Sequence, residues 1–466
     1  MEVPRTPSSS RRLVARVLRQ DRHKALNCQL ILGNDVFEVR DYSAFGIGVH
    51  AEHDIHCKGS EKATLRVERL DILSIEVAKK RATRSDDGTS WVIGFEVLGD
   101  PLPVFRIQAA AAASEMLIDQ HRSFLAARLP PLFVRRVYEM KNYLESLEER
   151  TNALVEEAEL NSRQELHDFE GGVVDVVSTH LEKALEPLYE ELAPILDGMP
   201  STELQLAYEF FRGQLRHLIY QAPIANRMLR KPRGYAGDFE MMKSIYRNEL
   251  MGTSLFAKCI QRYYASHPNA RAVRNRAVFL SKQLTEALNA RSHTDFRVLS
   301  VACGPAHELE LLLEGRANLA GVSFGLLDQD LDALRDAQRN LTKVSRKFDR
   351  KLDLSFHHKA IKNVLKEGVP GPYDLIYSAG LFDYFSDAVA KAVTKRLLEA
   401  LAPGGCLIIG NFTAKARNRT LMELALDWNL IYRTEVELRR LYSGMGGKLE
   451  LAAEPEGINL FVVLHR

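Results

Sequence analysis

The sequence has few cysteines, no long apolar run and almost no net charge, and each shortage excludes a class of protein. Its five cysteines are scattered without a C-x-x-C pair, so we expect neither disulfides nor a metal site, and a cytoplasmic setting. No apolar run approaches the roughly 20 residues that cross a bilayer, and the basic N-terminus lacks a signal-peptide core. With 63 basic and 61 acidic residues, no nucleic-acid partner is expected.

The first 107 residues are typical of an all-β domain. Short runs rich in β-branched and aromatic residues are separated by glycine, aspartate, asparagine and serine. These runs are CQLIL, VFEVRDYS, GIGVHAE, TLRVERL and SWVIGFEVLG. A chain of 466 residues exceeds what one hydrophobic core usually supports, so we expect further domains after this one.

From residue 108 to residue 290 the pattern is helical, rich in alanine, leucine, glutamate and arginine. We predict a helical connector at 108–164 and a helical cap at 165–290. In the connector, apolar positions alternate in steps of three and four. This spacing fits an amphipathic helix on its own domain and a homodimeric coiled coil equally well. The positions are Val137, Met140, Leu144, Leu147, Thr151, Leu154 and Ala158.

Residues 291–466 alternate apolar strands with helices. This alternation predicts a parallel sheet covered on both faces, the doubly wound, Rossmann-like α/β fold. The chain is therefore expected to be multidomain, with an α/β domain at its C-terminal end. The predicted strands are RVLSVAC, VSFGLLD, LDLSFHH, YDLIYSAG and GGCLIIGNF.

The turn ACGPAHE follows the first of these strands, where open α/β sheets bind ligands. Gly304 lets a ligand approach the backbone, and the next helix offers unpaired N–H groups. Ala302 and Ala306 replace glycines of the pyrophosphate pattern G-x-G-x-x-G, so no pyrophosphate is expected. Asp328, about 20 residues further on, is placed to accept hydrogen bonds from ribose hydroxyls. Adenosine without phosphates is what S-adenosylmethionine presents.

The segments VLSVACGPAHE, LLDQD, YDLIYSAGLFDYFSD and LAPGGCLIIGNF resemble the ordered motifs of class I S-adenosylmethionine-dependent methyltransferases. The resemblance implies that enzyme class and that cofactor. Two positions depart from the family pattern, since Ser300 and Lys359 stand where many members have an acid. The implied cofactor residues are Ala302, Cys303, Gly304 and Ala306 for the methionine part, Asp328 for the ribose, with Gln329 beside it in the cofactor site, Ala360 and Ile361 for the adenine, and Ser378, Ala379 and Gly380 for the floor.

A closer resemblance covers roughly residues 165–466 as one unit. PIANRMLRKPRGYAGDFEMM, GTSLFAKCIQRYYASHP, RNRAVFL, AGLFDYFSD and ALDWNLIYR are similar to bacterial methyltransferases that make extracellular-factor fatty-acid methyl esters, such as 3-hydroxypalmitic acid methyl ester. The likeness implies a hydroxy fatty acid as methyl acceptor. A carboxylate is already a nucleophile, so alignment matters more than a strong base. The candidate acceptor residues are Tyr235, Asp238 and Tyr384 for orientation and Arg233 or Arg276 for charge.

Two of these motifs have a structural as well as a functional interpretation. Gly234 and Gly237 flank Tyr235, which predicts an unusual turn that folds over the site as a lid or merely joins two helices. In DWNLIYR the spacing predicts that Asp427, Trp428 and Tyr432 share a helix face. There Trp428 is either part of the site or core, and in the second case Asp427 pairs with an arginine.

The segment RDYSAFGIGV and the arginines before it resemble a PilZ domain, a bacterial receptor of cyclic di-GMP. The resemblance implies that arginines grip the dinucleotide and that the D-x-S-x-x-G motif holds a guanine, chemistry that guanidinium and carboxylate groups suit. The alternative is a plain turn in a domain that binds only proteins. The implied ligand residues are Arg12, Arg16, Arg19, Arg22, Asp41, Ser43 and Gly46.

Together the resemblances imply a methyltransferase that forms a fatty-acid methyl ester signal and is regulated by cyclic di-GMP through a PilZ-like domain. One rival hypothesis is a non-catalytic signalling adaptor that uses both domains as binding modules. Another is a methyltransferase acting on a protein or a small amine. The acceptor, the sign of any regulation and the oligomeric state are left open by the sequence.

Overall fold

The computed structural model describes residues 23–24, 28–33, 35–51, 53–55, 57, 59–67, 70–84, 91–158, 162–291, 295–315, 317–413 and 419–466. The chain divides into two compact units, Met1–Leu129 and Pro130–Arg466. The division lies inside the segment 108–164 that was predicted to connect the domains.

The first unit contains an antiparallel barrel. In the described part of this unit, β2 to β7 close into a ring of six strands because β3 pairs with both β2 and β4, while β1 adds to β3. In β2 and β5 side chains alternate between the core and the surface. The strands are β1 His23–Lys24, β2 Cys28–Leu32, β3 Asp35–Ser43, β4 Gly46–Ala51, β5 Ser60–Val67, β6 Leu70–Arg84 and β7 Trp91–Leu98.

One helix, α1 (Val104–Ala126), follows the barrel and buries Ile107 against its core. The long strand β6 was not predicted, since the predicted run TLRVERL reaches only its first residue, Leu70. Its second half, EVAKKRATR, is mostly charged and carries few apolar residues, so the sequence pattern of a half-buried strand is weak there.

The second unit begins with helices. They are α2 Pro131–Glu157, α3 Arg163–Asp197, α4 Ser201–Ile219, α5 Pro223–Arg230, α6 Phe239–Arg247, α7 Leu255–Ser266 and α8 Pro268–Ala290. Helix α2 carries the predicted heptad positions. Val137, Met140 and Leu144 are buried within this unit, against which α2 packs, whereas Leu154 is exposed. The first of these apolar positions therefore face the unit to which the helix belongs, as in an amphipathic helix.

The α/β part of the second unit confirms the predicted Rossmann-like fold. Its strands are β8 Phe296–Val301, β9 Val322–Asp328, β10 Asp353–His358, β11 Tyr373–Ser378, β12 Leu401–Phe412, β13 Leu449–Ala453 and β14 Asn459–His465. They form one sheet in the order β10-β9-β8-β11-β12-β14-β13. The first five strands in this order are parallel, and β14 lies antiparallel between β12 and β13.

Helices cover the two faces of this sheet, each over its own apolar core. They are α9 His307–Glu314, α10 Leu331–Phe348, α11 Ile361–Glu367, α12 Asp387–Glu399 and α13 Glu435–Tyr442. The two C-terminal strands, LELAA and NLFVVLH, were not predicted. Among the described residues, none of the helices combines the length and the apolarity needed to cross a membrane.

Candidate functional site

A cavity of about 500 Å³ lies at the carboxyl ends of β8, β9 and β11. Because these strands are parallel, the loops that follow them meet at one edge of the sheet, the usual ligand position in such folds. The opposite wall comes from the helical part of the same unit, chiefly the segment Arg233–Phe239 and helices α6 and α8. The cavity is therefore built from one unit alone.

The turn after β8 has an unusual backbone. Ala302, Gly304 and Ala306 all have positive φ angles, 56°, 52° and 54°. This region costs a residue with a side chain roughly 1–2 kcal/mol, so the two alanines hold a conformation that glycine adopts freely. Ala302, Cys303 and Gly304 line the cavity, whereas Ala306 is buried at the start of α9.

Asp328 ends β9 beside this turn and lines the cavity together with Gln329. One carboxylate oxygen accepts the N–H of Gly304 and the other that of Asp330, each at 2.9 Å. Burial raises the pKa of Asp328, while these backbone N–H groups act in the opposite direction. The predicted ribose acid thus lies against the predicted methionine-binding turn.

The loop after β10 contributes the predicted adenine side. Ile361 and Lys359 line the cavity, while Ala360 precedes α11 without lining it. The Lys359 ammonium forms an ion pair with Glu367 at 3.2 Å. The apolar side chain of Ile361 suits the face of a purine ring, and the charge of Lys359 is already balanced by Glu367.

The loop after β11 forms the floor. Ala379 and Gly380 line the cavity, but Ser378 lies beneath it, fully buried, and its hydroxyl donates to the carbonyl of Val301 at 2.9 Å. A Cβ atom on Gly380 would approach the guanidinium of Arg276 to 2.6 Å. Glycine at this position therefore makes room for Arg276.

The segment GYAGD, for which a lid was one interpretation, contributes Gly234, Tyr235 and Gly237 to the lining of the cavity. Gly234 has a φ of 87° and Tyr235 lines the cavity. Burial and the nearby carboxylates, Asp328 first among them, raise the pKa of Tyr235, so its phenol is protonated at neutral pH. Arg233 also lines the cavity, and its guanidinium donates to Asp330 at 2.9 and 3.1 Å. This pair joins the lid to the loop after β9.

Asp238 does not line the cavity, although it was a candidate acceptor residue. It is fully buried, caps α6 by accepting the N–H of Met241 at 2.9 Å, and pairs with Arg227 at 2.9 Å. Both carboxylate oxygens receive the Arg227 Nε–H, at 2.9 and 3.1 Å. The structure therefore gives Asp238 a role in holding the lid turn.

The wall next to the lid is aromatic. Trp428 donates its indole N–H to the hydroxyl of Tyr384 at 2.8 Å, and both rings line the cavity. The predicted helix at DWNLIYR is wrong. A π-helix at Leu421–Ala425 ends before Asp427, whose φ of 51° leaves the helical region, and the chain is irregular until α13.

Asp427 pairs with Arg212 at 2.8 Å and with Lys231 at 2.6 Å. Although partial burial acts to raise it, these two cations lower the pKa of Asp427. The interpretation that Asp427 pairs with an arginine is confirmed, whereas Trp428 lines the cavity. Asp427 thus anchors the segment that carries Trp428.

Several cavity residues were not predicted. Glu308 and Asp383 are buried acids, and in the sequence they look like ordinary helix or turn residues because their burial depends on partners far along the chain. Glu308 receives the hydroxyl of Tyr377 at 2.8 Å, and Asp383 receives the N–H of Phe412 at 2.6 Å. The other unpredicted lining residues include Met242, Tyr246, Val273, Leu381, Phe385 and Leu430.

In the first unit, the predicted cyclic di-GMP residues fall into two groups. Arg12, Arg16, Arg19 and Arg22 lie outside the described residues. Asp41 on β3 pairs with Arg40 at 2.5 Å and its carboxylate lies over Gly48 of the neighbouring strand. Ser43 is buried and pairs in register with Gly46 across the hairpin. Of these three residues only Asp41 carries a charged group, and that group is partly exposed.

No protein-family model matches the chain. No curated protein sequence matches it either. Among solved structures, a possible exported protein from Bordetella parapertussis is 19% identical, with a TM-score of 0.44, and the match covers 63% of this chain and 96% of that one.

Two methyltransferase structures are also similar. Magnesium protoporphyrin IX methyltransferase from Synechocystis PCC 6803, with bound S-adenosylmethionine, is 14% identical over 42% of this chain and 83% of that one, with a TM-score of 0.31. N-methyltransferase NodS from Bradyrhizobium japonicum WM9, with S-adenosylhomocysteine, is 15% identical. The match covers 41% of this chain and 86% of that one, with a TM-score of 0.30. At these identities the likeness concerns the fold alone.

Proposed function

We propose that this protein is an S-adenosylmethionine-dependent methyltransferase and that the cavity holds the cofactor and the methyl acceptor. The observation that carries the proposal is the convergence of three loops on one space: the left-handed turn at Gly304, the carboxylate of Asp328 and the floor at Gly380. A nucleoside without phosphates fits a site that offers an acid for ribose hydroxyls and no phosphate-binding lysine beside the turn.

Methyl transfer from a sulfonium needs an aligned acceptor and the exclusion of water. The lid residues and the pair of Trp428 and Tyr384 close the cavity on the side away from the sheet. Because the Tyr384 oxygen already accepts the Trp428 N–H, its own O–H can donate to an acceptor oxygen. Burial raises the pKa of Tyr384, which keeps that proton in place at neutral pH.

For the acceptor we propose a molecule with an apolar body and a carboxylate, such as a hydroxy fatty acid, with a methyl ester as product. The support is the apolar wall formed by Phe239, Met242, Tyr246, Val273, Leu381, Phe385, Phe412 and Leu430. Arg233 is already neutralised by Asp330 and Asp332, whereas Arg276 forms no ion pair with a described carboxylate. Of the two candidate arginines, Arg276 is thus the one available to an anion.

For the first unit we propose regulation by cyclic di-GMP, with Asp41 facing a guanine edge. The support is the partly exposed Asp41 carboxylate, which occupies the space over Gly48 of the neighbouring strand. Titration of the full chain with cyclic di-GMP, alongside Asp41→Asn, tests this part separately. Binding that the variant retains in full would contradict it.

The test of the enzymatic proposal is incubation of the full chain with methyl-labelled S-adenosylmethionine and panels of hydroxy fatty acids, amines and proteins, read by mass spectrometry. We expect label in an ester of a fatty acid. Label in an amine or a protein would contradict the proposed acceptor but would still support a methyltransferase. Tight cofactor binding without any transfer would favour the adaptor hypothesis.

A further inference from the structure

A small side pocket adjoins the cavity within the second unit. Val273, Phe412 and Trp428 line both, so the two spaces border the same three side chains. The side pocket has a volume of about 20 Å³, which is enough for one water-sized group. A molecule bound along this wall of the cavity therefore lies next to a space that suits a small substituent.

Most of the wall of the side pocket is apolar and adaptable. Met228, Leu421, Met422 and Leu426 are among its lining residues. Two of them, Leu421 and Met422, belong to the π-helix, a helical irregularity that is frequent at functional sites. Because methionine side chains are flexible, the space can adjust to the group that enters it. These walls suit the carbon atoms of an apolar ligand.

The polar side chains of the side pocket differ in whether they have partners. In the part of the chain that the structure describes, these lining residues are Tyr264, His267 and Asn269. The hydroxyl of Tyr264 is hydrogen-bonded to Tyr189. Nε2 of His267 lies 3.1 Å from the carboxylate of Glu186, and its Nδ1 accepts the backbone N–H of Asn269 at 3.2 Å. Tyr264 and His267 are therefore already engaged.

The side-chain amide of Asn269 has no such partner. The residue is 4% exposed, and neither Oδ1 nor Nδ2 has a hydrogen-bond partner among the described residues. An unpaired buried amide is unfavourable, so such a group usually meets a water or a ligand. A buried water needs roughly two to four polar partners, which this mostly apolar pocket does not offer. The side pocket therefore favours a group that brings its own carbon atoms and one polar atom.

We propose that the side pocket receives a hydroxyl group on the apolar chain of the methyl acceptor and that Asn269 binds this hydroxyl. The inference rests on the proposed function and adds a specificity-determining residue to it. A hydroxyl can donate to Oδ1 or accept from Nδ2, while the carbon that bears it contacts the apolar wall. An acceptor without the hydroxyl leaves the amide unpaired, so Asn269 selects hydroxylated acceptors.

An ionised substituent fits the side pocket poorly. Asn269 is neutral, and His267 already faces the carboxylate of Glu186. A buried charge would therefore find no free countercharge among the described lining residues, which is unfavourable. A neutral hydroxyl avoids this cost.

The test uses the full chain, methyl-labelled S-adenosylmethionine and saturated fatty acids of one chain length, either unsubstituted or with one hydroxyl at a defined position. We expect kcat/KM for one hydroxy isomer to exceed that for the unsubstituted acid by at least about tenfold. In Asn269→Leu, which has a similar volume and no amide, this ratio should fall to within about twofold of one. The loss should concern the hydroxy acid alone, with the cofactor affinity unchanged.

Asn289→Leu is the matched control, since Asn289 is exposed near the end of the same helix and lines neither space. It should keep the preference of the parent protein. Unfolding curves test for a merely structural role. Because leucine replaces an amide without a partner, Asn269→Leu should be at least as stable as the parent.

Two results would overturn the inference and leave the proposed function standing. One is a parent protein that methylates the unsubstituted acid as well as every hydroxy isomer. The other is a preference for a hydroxy isomer that Asn269→Leu retains in full. No transfer to any of these acids would reject the proposed acceptor, and this inference with it.

Discussion

Trp428 donates its indole N–H to the hydroxyl of Tyr384 across 2.8 Å, joining two segments that are 44 residues apart in the chain. The two rings form the cavity wall that faces the lid. Gly237 in the lid leaves room for both of them, since a Cβ at this position would crowd the two side chains. The hydrogen bond thus fixes the position of the hydroxyl that we propose for the acceptor.

Tyr384→Phe should lower kcat about tenfold, because it removes one hydrogen bond to the acceptor, and should leave the cofactor affinity unchanged. Steady-state kinetics measures the change in kcat, and titration with the cofactor measures its affinity. Tyr138→Phe is the control, since Tyr138 lies on α2 outside the cavity and packs edge-on against Phe210. Loss of cofactor binding in Tyr384→Phe would place the hydroxyl in the cofactor site.

Gly237→Ala should displace the aromatic wall. The new Cβ would approach Trp428 to 2.9 Å and the Tyr384 hydroxyl to 3.0 Å, so a side chain must move. We expect lower activity and a loss of stability on the order of 1–3 kcal/mol, as for other overpacked sites. Urea unfolding measures the stability.

Gly172→Ala is the matched control for this variant, because Gly172 lies inside α3 and a Cβ added there would meet no neighbouring atom within 4 Å. It should stabilise the protein by about 0.5–1 kcal/mol through helix propensity. Wild-type activity in Gly237→Ala would show that the wall does not position the acceptor.

Ala302→Gly should not destabilise the protein, unlike most changes of alanine to glycine. The φ of 56° at Ala302 costs alanine about 1–2 kcal/mol in the folded state. Relief of this cost balances or outweighs the stability lost because glycine increases the entropy of the unfolded chain. Ala392→Gly, at an exposed position inside α12, should cost about 1 kcal/mol. Equal losses of unfolding free energy in the two variants would show that the turn is unstrained.

The buried carboxyl of Asp383 should make stability depend on pH. Burial raises its pKa to about 6, even though the Phe412 N–H and the charges of Arg276 and Arg433 act to lower it. Because the folded pKa lies above the unfolded value of 3.8, this contribution to stability is full below pH 4 and is lost as pH rises through 6.

Asp383→Asn removes that dependence while its amide oxygen can still accept from Phe412. Relative to the parent, the variant should gain stability between pH 4 and pH 7, on the order of 2–3 kcal/mol, since each pH unit is worth about 1.4 kcal/mol. Unfolding curves across this range measure the difference. A difference that does not change with pH would mean that Asp383 titrates normally.

Local patterns were enough to predict the five parallel strands, the barrel strands β2 to β5 and β7, and the turn at Gly304. They could not predict what depends on distant partners. Arg276 and Glu308 reach the cavity only because α8 and α9 pack beside one turn, and Asp427 leaves the helix because Arg212 and Lys231 hold it. Strand β6 was missed because its charged residues interrupt the kind of β-branched and aromatic run that identified its neighbours.

The central claim is that the cavity binds S-adenosylmethionine through Asp328. Calorimetric titration of the full chain and of Asp328→Ala, with unfolding curves to show that the variant folds, tests it most directly. We predict saturable binding by the parent and a loss on the order of 2–3 kcal/mol in the variant, because two charge-assisted hydrogen bonds to the ribose disappear. A folded variant that binds the cofactor as the parent does, or a parent that binds none, would contradict the account.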